Sequence, residues 1–181
     1  MTLRAQESVL LVVDMQVKLL PAIDDANALL GRACRLARGA RELGVPVIAT
    51  EHWAEKIGPT APAMAGLLDH VVHKTHFDAC REHSIAQALP EGRTKVLLIG
   101  TEAHVCVLQT GLGLAHMGYM PILVSDCIGS RRPPDKAAAL ERWAGRGLEA
   151  VTLEMALFEW LETPAHPAFR TVLSLIKGEQ P

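Results

Sequence analysis

The chain has 181 residues, 49% of them hydrophobic, with a formal net charge of −2. That is enough to bury a substantial core as a single domain over 1–181, and its scattered charges give no electrostatic footprint for nucleic acid or an anionic membrane. No apolar run approaches the roughly 20 residues of a membrane-spanning helix, the polar opening leads straight into a strand-like run, and the cysteines are widely spaced without a CxxC pair, so a cytoplasmic protein with free thiols and a small-molecule partner is expected.

Apolar runs and helical patterns alternate along the chain. Residues 9–13 form the first strand-like run and 26–43 the first helical pattern; 45–49 follow as a second strand, then a loop with Pro59 and Pro62 that has room for a short helix ending at Leu68. Residues 71–74 precede a helical pattern over 81–89, 96–99 precede 105–117, 122–124 precede 134–144, and 150–153 precede 157–161. One more amphipathic helix is expected over 166–177. Near-continuous runs such as VLLVV and KVLLI suit strands covered on both faces. The pattern therefore predicts an α/β fold, a three-layer αβα doubly wound sandwich on a six-stranded, mainly parallel sheet. A closed barrel of eight units is excluded by the number of repeats.

In such sheets ligands gather beyond the carboxyl ends of the strands. Asp14 closes the first strand, Lys74 the third, and Cys106 follows the fourth through GTEAHV. Each has a plain structural reading alone: Asp14 capping a turn, Lys74 snorkelling at the surface, Cys106 packing a helix on the sheet. Together they supply a base, a cation and a nucleophile at one edge. Cys106 also falls at or near a helix N-terminus, where unpaired N–H groups and the helix dipole should favour thiolate over thiol and bind an oxyanion.

The segments LLVVDMQ, HKTHFDAC and GTEAHVCVLQTGLGLAHMGY, followed by SDCIGSR, ALERW and TLEMALFEWL, resemble those of the isochorismatase-like cysteine hydrolases, among them nicotinamidases and N-carbamoylsarcosine amidohydrolases. TEHWAEKIGPTAP and AHPAFRTVLSLIK are similar to the isochorismatase-domain-containing branch. The resemblance implies a homologous hydrolase of small amides or related C–N bonds, with no cofactor. In it Cys106 attacks the carbonyl, Asp14 takes the thiol proton and passes it to the leaving amine, and Lys74 holds Asp14 ionised and favours the thiolate. It further implies a cis peptide between Thr101 and Glu102 that aims backbone N–H groups near Ala103 into an oxyanion hole. His52, Trp53, His76 and Phe77 stand where the family lines its pocket. Nicotinamidases of this family use an Asp and two His as metal ligands near strand two; here TEHW offers Glu51 and His52 without that spacing, so no metal is expected.

Two alternatives stay open: an isochorismatase-type hydrolase that works without thiol attack, and a non-catalytic binding or redox-sensing protein on the same fold. His104 reads as a satisfied loop histidine, Arg131 and Arg132 as a solvated basic turn, and Gly111 and Gly113 as points of close helix packing. The apolar faces ALFEWL and TVLSLIK suggest a homo-oligomer, unless they close the core of one protomer.

Overall fold

A computed structural model describes residues 2–178. The strands are β1 (Ser8–Val13), β2 (Val47–His52), β3 (His70–Lys74), β4 (Lys95–Thr101), β5 (Met120–Gly129) and β6 (Glu149–Val151). They form one six-stranded sheet in the order β3-β2-β1-β4-β5-β6, and every adjacent pair is parallel. The chain winds outward from β1 in one direction through β2 and β3, then crosses back to lay β4 on the other side of β1. The β1/β4 boundary is thus the switch point where a doubly wound sheet opens a crevice.

Period-two alternation divides the buried side chains between two cores. Leu10, Val12, Val47, Ala49, Leu97 and Ile99 face α1 (Ala26–Glu42), α7 (Leu153–Leu161) and α8 (Phe169–Lys177). Val9, Leu11, Val13, Ile48, Val96 and Leu98 face α4 (His83–Ala88), α5 (Leu108–His116) and α6 (Pro133–Ala144). Two single-turn helices, α2 (Ala54–Ile57) and α3 (Pro62–Ala65), lie in the loop after β2.

Several element boundaries differ from expectation, three of them for plain local reasons. Strand β2 starts at Val47, because the Val45 N–H donates to the Ala40 carbonyl at 2.8 Å and closes the end of α1, and Pro46 has no N–H. Strand β5 continues past Val124 through polar Ser125 and Asp126, whose side chains are satisfied across the sheet: the Ser125 hydroxyl donates to the Val151 carbonyl at 3.1 Å, and the Leu153 N–H donates to Asp126 Oδ1 at 2.8 Å. Residue 153 begins α7 instead of ending β6, with Thr152 Oγ1 accepting from the Met155 N–H at 3.3 Å as an N-cap.

The helix faces that suggested assembly are used within the chain. Leu157, Trp160, Leu161, Val172 and Leu175 are buried, and the Trp160 indole donates to the Ser8 hydroxyl at 3.0 Å. Met155 and Phe158 remain exposed on α7. Among the described residues no helix is long and apolar enough to cross a membrane.

Candidate active site

The carboxyl ends of β1, β3 and β4 converge at the switch point. Asp14 follows β1 with φ at 49°, a left-handed conformation that costs a non-glycine residue about 1–3 kcal/mol and clusters at functional positions. Three hydrogen bonds from two neighbours over-determine it. The Asp14 N–H donates to the Thr50 carbonyl at 3.2 Å, the Thr101 hydroxyl donates to the Asp14 carbonyl at 2.8 Å, and the Thr50 hydroxyl donates to Oδ1 at 2.6 Å. Thr50 reaches it because it lies beside Val13 in the β1/β2 register.

Lys74, the last residue of β3, brings Nζ to 2.7 Å from Asp14 Oδ2, with both side chains at 0% exposure. The ammonium also donates to the carbonyls of His76 at 3.1 Å and Phe77 at 3.3 Å, so its hydrogens are directed by the backbone turn after β3. Oδ2 lies close to the charge yet receives no well-directed hydrogen bond among the described residues.

Strand β4 ends in the cis Thr101–Glu102 peptide, and the chain then enters a π-helical turn, Ala103–Val107, that runs into α5. The Glu102 carbonyl accepts from the N–H groups of Val105 and Val107 at 3.0 and 3.2 Å. Cys106 sits in this first turn, buried, beside Asp14 and Lys74. Its thiol is not poised as thiolate, contrary to the expectation from the helix end. Burial and the Asp14 carboxylate push it up to about 12, against the opposing pull of Lys74. The carboxylate that disfavours its ionisation thus lies beside the thiol, with the ammonium opposing it.

The pocket residues divide. His52, at the end of β2, packs its ring against Phe77 with centroids 5.2 Å apart, and its burial and the Lys74 charge lower its pKa. Trp53 has φ at 40° and stands half-exposed, its indole donating to the Thr75 carbonyl at 3.2 Å with Lys56 Nζ 4.0 Å from the ring centroid. Phe77 is exposed. The His76 ring is instead held by Glu82, Nδ1 to Oε1 2.8 Å, and its carbonyl rather than its imidazole serves the site. Glu82 also accepts from the Thr75 and His76 N–H groups, and this set, with the Thr75 bond first, pulls its pKa down to about 2.

Glu102 is tied outward, with Oε1 3.4 Å from Arg131 Nε and Oε2 accepting from the Arg131 N–H, while His104 meets the Ser130 hydroxyl at 3.0 Å. Glu51 turns to the opposite face of β2 from His52, where its Oε1 accepts from the Thr60 N–H and hydroxyl at 2.6 and 2.8 Å. A surface cavity of about 530 Å³ between Val17, Leu20, Leu30 and Ala61 includes none of Asp14, Lys74 and Cys106. Two positioning groups escaped the sequence, Thr50 and Glu82. A threonine inside an apolar strand at the register of Val13 is a usable signal for the first; nothing in the sequence marks the second.

Residues 8–155 match the profile of the Isochorismatase domain. Isochorismatase domain-containing protein 1 of Danio rerio is 35% identical over 176 residues, 96% of this chain, which spans 62% of that protein. Isochorismatase domain-containing protein 2A of Mus musculus is 32% identical, with 97% of this chain and 85% of that protein covered. Among solved structures, the MAR1 ribonuclease of Caenorhabditis elegans superimposes with a TM-score of 0.93 at 30% identity, covering 100% of this chain and 95% of that one. YcaC of Pseudomonas aeruginosa shares the fold with a TM-score of 0.91 at 20% identity, covering 99% and 92%.

Proposed function

Because the chain belongs to the isochorismatase family and has its hydrolase fold, we propose that it hydrolyses a small amide or related C–N bond through Cys106, Asp14 and Lys74. The observation that carries this reading is the solvent-excluded Lys74–Asp14 pair beside a thiol in the first turn of a helix. The substrate carbonyl enters past His52 and Phe77. As the sulfur attacks its carbon, the thiol proton passes to Asp14 Oδ2, so the thiolate never accumulates and its unfavourable ionisation is coupled to bond formation.

The developing oxyanion faces the N–H groups of the first turn around Ala103 and Cys106, where the helix dipole is positive. Asp14 then returns the proton to the nitrogen, the C–N bond breaks, and an amine leaves behind a thioester on Cys106. Water adds to the thioester with Asp14 as base and releases the acid and the thiol. Lys74, aimed by two backbone carbonyls, keeps the carboxylate in place.

The test is a panel of small amides, ureas and carbamoyl compounds assayed for ammonia release, with mass spectrometry of acid-quenched enzyme for an acyl adduct on Cys106. RNA oligonucleotides belong in the panel because the C. elegans neighbour is a named ribonuclease. The protonated resting thiol favours one second reading, an isochorismatase-type hydrolysis in which Asp14 works without thiol attack. Full activity in Cys106→Ala selects it. Self-association is part of the proposal, carried by Trp53, Phe77, Met155 and Phe158 remaining exposed; a monomeric mass in light scattering at micromolar concentration overturns it.

A further inference from the structure

Gln16 has no part in that chemistry, yet it is fully buried two residues beyond Asp14. Its Nε2 donates to the carbonyls of His52 at 3.0 Å and Gly58 at 2.6 Å, and its Oε1 accepts from the His52 N–H at 2.8 Å. Only this orientation of the amide satisfies all three, since the reverse sets nitrogen against N–H and oxygen against two carbonyls. His52 and Gly58 are the two feet of the excursion that carries Trp53.

The rest of the excursion is tied to the β3 side and to itself: the Trp53 N–H donates to the Lys74 carbonyl at 3.0 Å and its indole to the Thr75 carbonyl at 3.2 Å, and the Lys56 and Ile57 N–H groups donate to the Trp53 carbonyl at 2.8 and 3.1 Å. Its helix α2 is a single turn, Trp53 and Gly58 have φ of 40° and 82°, and its remaining ties to the β1 side are the Lys18 N–H on the Ile57 carbonyl at 3.1 Å and Lys18 Nζ on the Lys56 carbonyl at 3.0 Å. Asp14, by contrast, is fixed by Thr50, Thr101 and Lys74 without help from the Gln16 side chain.

We propose that Gln16 is a positioning residue that closes residues 52–58 into a rigid arch, holding His52 against Phe77 and Trp53 at the rim, and so sets which molecules reach Cys106 without setting the reactivity of its thiol. The proposal rests on the reading of this edge as the active site. Its test requires no turnover, so it stands or falls separately from the amidase assignment.

Gln16→Leu removes all three bonds at similar volume. Two probes of different size, iodoacetamide and N-phenylmaleimide, are compared at Cys106 by peptide mass mapping, and iodide quenching follows Trp53, the other two tryptophans, Trp143 and Trp160, being 1% and 2% exposed. The expected result is a shift of about tenfold in the N-phenylmaleimide to iodoacetamide rate ratio, with stronger iodide quenching and an unchanged iodoacetamide rate. Gln16→Asn keeps the amide on a stem one carbon shorter and loses only part of the bond set, so it should fall between the two; it also serves if the leucine variant does not fold. An unchanged ratio and unchanged quenching overturn the arch. An iodoacetamide rate that changes in step with the maleimide rate overturns the claim that Gln16 acts on access alone.

Discussion

Lys74 Nζ and Asp14 Oδ2 stand 2.7 Å apart with neither side chain reached by solvent, and the two pull the Cys106 thiol in opposite directions. The carboxylate raises it and the ammonium lowers it. Removing either partner should therefore move the pH dependence of Cys106 alkylation with opposite sign. In the wild type the thiol should alkylate with an apparent pKa above the free-thiol value of about 8.5; Asp14→Asn should bring it down and Lys74→Met should send it higher. Iodoacetamide rates across pH, read at the Cys106 peptide, decide it, and shifts of the same sign would contradict the geometry.

Cys106→Ala should abolish turnover and the acyl adduct while leaving the thermal transition close to wild type, since it removes only a sulfur at the edge of a packed turn. Cys34→Ala and Cys80→Ala should leave activity nearly unchanged, because the Cys34 and Cys80 thiols donate to backbone carbonyls at Ala63 and Thr110 and do not face the Lys74–Asp14 pair.

Asp14→Asn should lower kcat by about 10²–10⁴, the usual worth of a general base. It also strands the Lys74 charge in a dry site, and breaking a buried pair from one side costs about 3–5 kcal/mol. Combining it with Lys74→Met should restore much of the stability in urea denaturation and none of the activity. Recovery of activity in the double variant would show that the carboxylate is not the proton acceptor.

Glu82 links stability to pH. Its folded pKa is drawn down to about 2 by the Thr75 N–H first and then the His76 side chain, so its stabilisation is complete above the ordinary carboxylate value of about 4.3 and is lost as pH falls from there through 2. Glu82→Gln should have a lower Tm than wild type at neutral pH, and the gap should close in acid. A gap independent of pH would assign the loss to packing rather than charge.

Gly100→Ala should prevent folding. Gly100 has φ at 120°, and a Cβ there would run into the Val13 carbonyl on the neighbouring strand. Expression with circular dichroism checks it.

The periodic parts of the molecule were readable because burial on both faces writes itself as runs of Val, Ile and Leu: β1, β4 and α1 fall within a few residues of expectation, and with them the placing of Asp14, Lys74 and Cys106 at one edge. What could not be read was satisfied by partners far along the chain. Ser125 and Asp126 looked like a strand end until Val151 and Leu153 met them across the sheet. The resting thiol was misjudged because a helix N-terminus is visible locally, whereas burial and the approach of a carboxylate from residue 14 exist only in three dimensions. The His76 carbonyl that accepts from Lys74 Nζ has no mark in the sequence, since any residue at that position carries one.

Gly113, on the helix that continues from the Cys106 turn, lies so close to the turn after β3 that a methyl group there would stand 2.8 Å from the Cys80 Cβ and nearer still to the Asp78 carboxylate. That turn supplies the two carbonyls that aim Lys74. The missing side chain at position 113 thus works as a spacer gauge between the arm bearing sulfur and the arm bearing the cation. Any thicker residue would wedge the arms apart and turn the ammonium away from the carboxylate, disturbing the site from a point that touches none of Asp14, Lys74 and Cys106.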